Sequence, residues 1–560
     1  MAYDDVILRM GEFGKYQRRI YLLLCLPAII CAFHKLAGVF LGPKVGVRRI
    51  MSTENPCNST FELPDDILNA VYQWDQKIKP TQACKFRSIN ETNTYYSRIL
   101  DSGGDDTCKK FVYDTKTYHT TTTAEWDLVC DRAWLRTTGD SLFMVGVMVG
   151  SIIFGSLSDK YGRRPIFFLS LVIQLVGGIL VAIAPEYISY VTLRLIVGST
   201  TSGVFLVAYV IALEMVGPKK RLVAGVGCQL FFTTGYLITA GLAYLIRDWR
   251  TLQIVITLPS FLFLFYWWFI PESARWLLTK GKSEEAKDLL QKASKENGVE
   301  IPRETLNCLL NEHTDEKSGL AEKASLFDLF RHPNLRRKSI LLFFNWLVNS
   351  GTYYGLSWQA SSLGGNDYMN FFFSGLVEVP AYTFLIFTLD RWGRKFILCG
   401  CMIIAGVALL ATAFVPDGPL TNVLVMIAKL SITSSYGAIY IFTAEQFPTV
   451  VRNVGLGASS TVARVGGVLA PYVNELSIYW QPLPFVFYGI NVLIGGALST
   501  LLPETLNKKL PETIDDGELF GKIYSKKEKI HRDVGQLGDN ELLKPLKTIE
   551  NGIHDLKHNV

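Results

Sequence analysis

The sequence is poor in the residue patterns that enzymes and ATP-driven machines use. Its 560 residues contain no G-x-x-x-x-G-K-[ST] segment, the loop that holds nucleotide phosphates, and the stretch from Gly11 to Gly14 does not form one. Histidine is scarce, with seven in the chain, and no group of Cys and His has the spacing of a metal site. His34 is a single histidine within an apolar run. These absences predict a protein that is not an enzyme, binds no cofactor or metal, and is not driven directly by ATP.

Charge is also sparse, at 19% of residues, and leaves a net charge of +6. A nucleic-acid-binding protein would concentrate its basic residues on a polar domain. Here they lie in short segments between apolar runs, so we expect no nucleic-acid partner. Runs of about 20 apolar residues, the length that a helix needs to cross a bilayer, recur along the chain. The lipid bilayer is therefore the expected surrounding, and the expected fold class is an all-α membrane protein.

The apolar runs number twelve and divide into two groups of six. The first run follows a short polar segment, 1–19. It is too long for a cleaved signal peptide and no small-residue cleavage site follows it. Each run is therefore predicted to be a transmembrane helix. The predicted spans are 20–41, 141–157, 166–184, 188–213, 222–246, 252–270, 339–358, 368–389, 396–415, 422–442, 453–474 and 484–502.

Three longer polar segments flank or interrupt these spans. Residues 42–138 lie within the amino-terminal half, 20–270; residues 271–338 form a linker in which 283–293 has a helical pattern; and 503–560 follow the carboxy-terminal half, 339–502. The first segment alone combines four cysteines with two glycosylation sequons, which indicates an oxidising, extracellular side. Three disulfide pairings remain open. We expect a glycosylated cap that protects folding rather than a ligand-binding domain. The residues concerned are Cys57, Cys84, Cys108, Cys130, Asn58 and Asn90.

The distribution of loop charge predicts the orientation. The short segments expected inside hold ten basic residues, whereas those expected outside hold two. Because cytoplasmic loops carry an excess of Lys and Arg, both termini are predicted to be cytoplasmic. We expect a multi-pass protein of the plasma membrane.

One basic turn occurs twice, once in each half. The segment 155–165 reads GSLSDKYGRRP, and 389–395 reads LDRWGRK. Each places a carboxylate opposite a basic pair between two apolar spans, which predicts a charge latch that can be held or released. Two further signals repeat in the same order: 214–221 with 445–452, and 271–275 with 503–505. The predicted gating residues are Asp159, Arg163, Arg164, Asp390, Arg394, Glu214 and Glu445.

These repeats resemble the major facilitator superfamily, whose halves carry G-x-x-x-D-[RK]-x-G-R-[RK] between their second and third helices. The resemblance implies twelve transmembrane helices in two six-helix repeats that rock about a central site. Within the superfamily, TAEWDLVC at 123–130, PESARW at 271–276 and AEQFPTVVRN at 444–453 resemble the organic cation, organic anion and carnitine transporters. This implies a small organic ion as substrate and leaves a coupling ion open.

Ionisable residues inside the spans are candidates for function, because charge within a bilayer is costly. Glu378 and Arg464 fall near the middle of their spans, where such carriers bind substrate. They could neutralise one another or receive a zwitterion. Arg194 and Lys429 fall near the start of the fourth and tenth helices and are interpreted as equivalent structural or coupling residues of the two halves.

Aromatic residues near Glu378 could receive an organic ammonium group. Trp346 and Tyr353 are seven residues apart and therefore share a helical face. Tyr382 also lies near Glu378, and Gln229 on the fifth helix matches a pocket position of cation carriers. These four residues complete the predicted binding site.

The resemblance also bears on substrate charge. At the position of Arg464 the cation carriers of vertebrates have aspartate, whereas anion and carnitine carriers have arginine. VEVPAY at 377–382 resembles the carnitine branch, and anion carriers have lysine in place of Tyr382. We therefore expect a carrier of small organic cations or zwitterions, as insect-type members are named. An organic anion carrier and a solute sensor without turnover are the alternatives.

Overall fold

Twelve long helices cross the molecule in the part of the chain that the computed structural model describes. These residues are 2–43, 47–50, 110–113, 117–217, 220–299, 301, 327–416, 418–508, 510–511 and 513–521. The helices are α1 (Lys15–Leu41), α2 (Ala133–Tyr161), α3 (Arg163–Ala182), α4 (Tyr187–Glu214), α5 (Arg221–Leu245), α6 (Trp249–Trp268), α7 (Pro333–Gln359), α8 (Asp367–Trp392), α9 (Arg394–Phe414), α10 (Pro419–Gln446), α11 (Arg452–Glu475) and α12 (Leu483–Ser499).

Each predicted span overlaps one of these helices. The largest difference is at α2, which begins eight residues before the predicted span. Nine of the helices, within the described residues, are long and apolar enough to cross a membrane on composition alone. Helix α12 has only 17 residues, and α7 and α11 are more polar. On α7, Asn345, Asn349 and Ser350 are fully buried, so its polar side chains face protein.

Smaller elements surround the bundle. Residues Ala2–Arg9 form a short helix before α1, and the linker contains helices Ala274–Thr279, Ser283–Glu296 and Asp328–Arg331. The second of these includes the predicted helical stretch 283–293. After α12, a six-residue helix, Ile514–Leu519, packs against the start of α7.

The segment between α1 and α2 contains the strands of the described structure. Val47–Ile50 pairs antiparallel with Lys110–Tyr113, and a short helix, Thr122–Glu125, precedes α2. The sequence pattern did not predict this ribbon. Cys130 begins a short 3-10 turn, Cys130–Arg132. The remaining predicted cysteines and sequons lie outside the described residues: Cys57, Cys84, Cys108, Asn58 and Asn90.

Prolines interrupt three of the helices. Breaks occur at Leu26 before Pro27, at Leu258 before Pro259, and at Val377 shortly before Pro380. Proline removes one N–H donor and clashes with the preceding turn, which kinks a helix. The break in α8 places Glu378 at the first residue of its second segment.

Glycines let helices of the same half pack backbone to backbone. A Cβ atom at Gly146 or Gly150 of α2 would overlap the backbone of α4, and one at Gly198 of α4 would overlap the backbone of α2. In the other half, a Cβ at Gly466 of α11 would overlap the backbone of α7. Such small-residue contacts are the usual basis of close helix packing in membranes. We refer to these two contacts, α2 with α4 and α7 with α11, as the glycine seams.

Polar side chains join the two halves at α2 and α11, in addition to aromatic contacts such as that of Phe40 on α1 with Phe371 on α8. Arg136 on α2 forms an ion pair of 2.8 Å with Glu475 on α11, and Thr137 also bonds to Glu475. One turn deeper, the Ser141 hydroxyl donates to the carbonyl of Val468 over 2.9 Å. We refer to this set of contacts between α2 and α11 as the outer gate. A cavity of about 270 Å³ lies at the outer gate.

Candidate functional site

The predicted latch of the amino-terminal half is formed where the end of α2, the start of α3 and the end of α4 meet. Arg163 forms ion pairs with Asp159 and with Glu214, the latter at 3.3 Å. Gly162 stands between the two helices with φ of 115°, a backbone conformation that favours glycine. The arginine therefore joins three helices through one guanidinium.

The carboxy-terminal half repeats this arrangement. Arg394 lies 2.8 Å from Asp390 and 3.2 Å from Glu445, and Gly393 has φ of 97°. The structure thus brings together Asp390, Arg394 and Glu445, as it does the three equivalent residues of the first half. Their role in gating remains a prediction.

Arg164 differs from the other predicted latch residues. Its guanidinium donates to the carbonyl of Trp267 over 2.6 Å and stacks on the ring of the same residue, 4.3 Å from its centroid. Arg164 therefore anchors α3 to α6, and the described contacts do not include a latch carboxylate for its side chain.

Two carboxylates that the sequence reasoning did not select hold the starts of α3 and α9. Glu272 accepts the backbone N–H groups of Arg163 and Arg164, at 2.9 and 3.2 Å. Glu504 accepts those of Arg394 and Lys395, both at 3.1 Å. The first N–H groups of a helix lack internal partners and favour a negative charge. The sequence contains a signal for these two glutamates, because each follows the proline that begins the repeated segments 271–275 and 503–505.

Burial raises the pKa of the Glu272 carboxyl above its usual value, and its hydrogen bonds to backbone N–H groups oppose that effect. Glu272 lies outside the membrane-spanning helices. Its position next to the latch makes it a structural support of the turn between α2 and α3.

Near the middle of the membrane, Glu378 pairs with Lys429 rather than with Arg464. The two charged groups are 3.1 Å apart and both side chains are fully buried. Thr233 of α5 donates a 2.8 Å hydrogen bond to the same carboxylate, across the interface of the halves. The interpretation that Glu378 and Arg464 neutralise one another is therefore wrong. The reason is geometric: α8 packs beside α10, which carries Lys429.

Arg194 and Lys429 both pair with a carboxylate on the second helix of their half, but they are not equivalent. Arg194 is 3.5 Å from Asp140 of α2. It lies twenty residues before the latch residue Glu214, whereas Lys429 lies sixteen before Glu445. One helical turn therefore separates their depths. The equivalence predicted from sequence is wrong by that turn, and the pair of Lys429 lies deeper in the membrane.

Arg464 is enclosed by tyrosines. The groups with the strongest electrostatic interaction with it are Tyr436, Tyr354 and Tyr440, and the Tyr354 hydroxyl is within hydrogen-bonding reach. No carboxylate forms an ion pair with Arg464 in the described part of the chain. Its side chain is only half-buried although it lies midway along α11. The Nε atom of the same guanidinium is buried and has no hydrogen-bond partner among the described residues.

The other predicted binding residues differ in their burial and in the partners that they already have. Trp346 is fully buried, donates to the Thr443 hydroxyl over 2.9 Å and packs on Tyr440. The ring of Tyr353 lies 3.5 Å from the Lys429 ammonium, so its face already holds a cation of the protein itself. This corrects the expectation that Tyr353 is open to a ligand ammonium.

Tyr382 and Gln229 lie on the helices that meet at Glu378. Tyr382 is buried on α8, one turn beyond Glu378. Gln229 is half-buried on α5, one turn from Thr233 and therefore on the same helical face. That Tyr382 and Gln229 contact a ligand remains a prediction.

Sequence reasoning missed three members of this site. Lys35 of α1 is buried, with its ammonium 5.5 and 5.6 Å from the ring centroids of Phe205 and Phe232. Tyr436 and Tyr440 stand one turn apart on α10, and both are half-buried. Lys35 was visible as a charge inside the first span, but nothing in the sequence showed which helices it faces.

The fold, the repeated latch and the polar centre between two six-helix halves define a multi-pass membrane transporter with the major facilitator fold. The inward-open xylose transporter XylE from E. coli has this fold: it matches with a TM-score of 0.59 over 90% of this chain and 100% of its own, at 14% identity. A family model described as "Sugar (and other) transporter" matches residues 103–515.

Two relatives carry the assignment further. An organic cation transporter protein of Drosophila melanogaster is 57% identical, and the match covers 93% of this chain and 95% of the relative. The organic cation/carnitine transporter 2 of Homo sapiens is 33% identical, over 92% and 93% of the two chains. The chain belongs to the organic cation, organic anion and carnitine transporter subfamily of the major facilitator superfamily. It is a transporter of small organic solutes and not an enzyme, as the sequence predicted.

Proposed function

We propose that the protein carries small zwitterions, with an organic ammonium and a carboxylate, across the plasma membrane by alternating access. The observation that carries this proposal is Arg464, a mid-membrane guanidinium enclosed by three tyrosines and without a carboxylate partner among the described residues. A cation that leaves water needs a counter-charge. The ligand carboxylate supplies it.

A simple organic cation would need a carboxylate that is free to pair with it. Glu378 is already neutralised by Lys429 and hydrogen-bonded by Thr233. A ligand ammonium therefore has the aromatic faces of Tyr436 and Tyr440 as its recognition surface, through the ring quadrupole. An ammonium without a carboxylate would leave Arg464 unpaired.

The relatives agree with this substrate class. Their names include organic cations and carnitine, and carnitine combines a quaternary ammonium with a carboxylate. Simple organic cations remain within the proposed range at lower affinity.

The organic anion carrier is the second candidate, and a specific observation favours it. Lys35 of α1 and Arg464 of α11 are both cations within the membrane-spanning helices, and an organic anion could pair with either of them. Tyr436 and Tyr440 favour the zwitterion over a dicarboxylate, because their ring faces attract ammonium rather than carboxylate groups.

The arrangement of contacts supports an inward-facing state. Outer-gate contacts join α2 and α11 from Arg136 to Ser141, while the latch contacts join helices within each half. Transport then requires the outer gate to open as the cytoplasmic ends close. In this orientation both termini are cytoplasmic.

Competition uptake in expressing cells tests the proposal. A carnitine-like zwitterion, a simple quaternary ammonium and a dicarboxylate compete for uptake by the parent protein, by Arg464→Asp and by the charge-preserving Arg464→Lys. We expect the zwitterion to rank first in the parent. Removal of the guanidinium should cost about 2 to 3 kcal/mol of zwitterion affinity, and Arg464→Asp should rank the quaternary ammonium first.

Surface biotinylation normalises each variant to its amount in the plasma membrane. An unchanged substrate ranking in well-expressed Arg464→Asp would remove Arg464 from the site. A dicarboxylate ranked first in the parent would establish the anion carrier instead. Binding without accumulation of any radiolabelled solute would favour the sensor.

A further inference from the structure

The last part of the segment between α1 and α2, residues 117–126, is fixed to the ends of α1 and α5. The backbone N–H of His119 donates to the carbonyl of Arg247, which follows α5, over 3.1 Å. The hydroxyl of Thr122 donates to the carbonyl of Leu41, the last residue of α1, over 3.1 Å. We refer to residues 117–126 as the strap. These bonds make the strap a part of the first half of the transporter.

The beginning of the strap contacts the second half. The hydroxyl of Tyr118 donates to the carboxylate of Asp367 over 3.0 Å, and the hydroxyl of Tyr368 donates to the carbonyl of Thr117 over 3.2 Å. Asp367 and Tyr368 are the first two residues of α8. Both tyrosines are buried, so little water competes for these bonds. The strap therefore joins the two halves by two hydrogen bonds of opposite direction.

Aromatic rings around Tyr368 enlarge this contact. The ring of Tyr368 stacks on Phe40 of α1, with 5.5 Å between the centroids. It also contacts Tyr118 of the strap at 5.8 Å and Tyr244 of α5 at 5.6 Å. All three neighbouring rings belong to the first half. The start of α8 is therefore enclosed by groups of the opposite half.

The contact of the strap is separate from the outer gate, and the cavity of about 270 Å³ lies between them. This cavity is lined by Arg136 and Glu475 of the outer gate and by Asp367 at the start of α8. The outer gate joins α2 to α11, whereas the strap lies at the end of α5, which packs against α8. Wide opening of this side of the molecule therefore requires both contacts to separate.

We propose that the strap is a second gate element, in which the hydrogen bond from Tyr118 to Asp367 holds the halves together and breaks each time the carrier opens outward. The inference rests on alternating access, as proposed above, and not on the class of substrate. A hydrogen bond to a charged group changes an equilibrium constant by about 10- to 100-fold. One such bond is enough to set the fraction of carriers that face outward. The segment between α1 and α2 then acts in the transport cycle as well as protecting the fold.

The first test measures how fast an impermeant maleimide labels Ser141→Cys at the cell surface. Ser141 lies in the outer gate and is buried, so labelling reports separation of the halves at a place that the strap does not touch. Tyr118→Phe, Asp367→Ala and the double variant are made in that background. The matched control is Tyr113→Phe, which removes a 2.6 Å hydrogen bond to Asp127 within the same segment. Surface biotinylation normalises each variant, and labelling of protein that retains Ser141 is subtracted.

We expect each single change at the strap contact to raise the labelling rate on the order of tenfold. The double variant Tyr118→Phe/Asp367→Ala should reach about the same rate, because both changes remove one bond. Tyr113→Phe should leave the rate unchanged, because its hydrogen bond does not join the halves.

A metal bridge tests the same contact by holding it closed. The double variant Tyr118→His/Asp367→His places two imidazoles at the contact, where they can share a Zn²⁺ ion. External Zn²⁺ should stop uptake by this variant, because the halves can then no longer separate at the strap, and a chelator should restore it. The two single histidine variants should keep their uptake in Zn²⁺.

Four outcomes overturn the proposal. They are an unchanged labelling rate in surface-expressed Tyr118→Phe, an equal increase in the control Tyr113→Phe, effects that multiply in the double variant, and uptake by the histidine pair that Zn²⁺ does not lower. The labelling series decides the matter even if the histidine pair does not reach the surface. Absence of solute uptake by the parent would instead refute the proposed function, and the labelling rates would still report the strap contact, so the two failures are distinguishable.

Discussion

The buried pair of Glu378 and Lys429 yields a prediction whose magnitude follows from its geometry. At 3.1 Å and an effective dielectric constant of about 20, two unit charges attract with about 5 kcal/mol. The cost of removing both groups from water opposes this attraction. Lys429→Met leaves a carboxylate with the Thr233 hydroxyl as its remaining hydrogen bond in the described structure. We expect that single change to destabilise the protein by about 3 to 5 kcal/mol.

The double variant Glu378→Gln/Lys429→Met removes both charges and should recover much of this loss. The two single changes are therefore expected to be non-additive by about 2 kcal/mol or more. The assay is thermal unfolding of the purified protein in detergent, followed by tryptophan fluorescence, for the parent, both single variants and the double variant.

The matched control is Lys282→Met, which breaks an ion pair of the same kind with Glu285 at the exposed surface. Such exposed pairs contribute at most about 1 kcal/mol. Additive effects of Glu378→Gln and Lys429→Met, or a double variant less stable than either, would refute the assignment of these residues to one another. Uptake by a stable double variant with unchanged substrate ranking would also remove Glu378 from the predicted binding residues.

The remaining predictions concern the latch, the outer gate and the outer segment. Asp159→Asn should lower turnover about fivefold at equal surface expression, because it removes roughly 1 kcal/mol from a state-dependent ion pair; turnover equal to the parent would contradict this. Arg136→Gln should open the outer gate more often, so that Ser141→Cys reacts faster with an impermeant maleimide; equal labelling rates would exclude that role. Glycosidase should lower the apparent mass through Asn58 and Asn90, and non-reducing and reducing gels should differ; no change in either would contradict the extracellular assignment of the segment.

Sequence reasoning succeeded where a signal is local or repeated. The latch of Asp159 and Arg163 could be predicted because its carboxylate and guanidinium are four residues apart and span one tight turn. The span boundaries followed from hydrophobic length, a property that each helix carries by itself. Glu272 and Glu504 also lie in repeated segments. Their roles could have been predicted as well, because the first N–H groups of a helix need hydrogen-bond acceptors.

It failed where the answer depends on which helices are neighbours. The partner of Glu378 is decided by the rotation of α8 against α10, and depth alone could not distinguish Lys429 from Arg464. Tyr353 was correctly placed on an inward face, yet which cation occupies that face depends on a side chain 76 residues away. Lys35 is a charge inside the first predicted span, but its contacts with Phe205 and Phe232 depend on which helices pack beside α1.

The glycine seams should make each half of the transporter move as a rigid body. The backbones of α2 and α4, and those of α7 and α11, are in direct contact. Each half can therefore deform little when the helices at its centre move. From the middle of a membrane helix to its end is about 15 residues, or roughly 22 Å. A tilt of about 10°, comparable to known rigid-body switches, then moves the helix ends by about 4 Å. That displacement exceeds the 2.8 Å length of the ion pair between Arg136 and Glu475, which joins the two halves at the outer gate, whereas the latch pairs move with the half that contains them. A methyl group added at Gly146 should loosen the packing of α2 on α4 and weaken the connection between the centre and the outer gate.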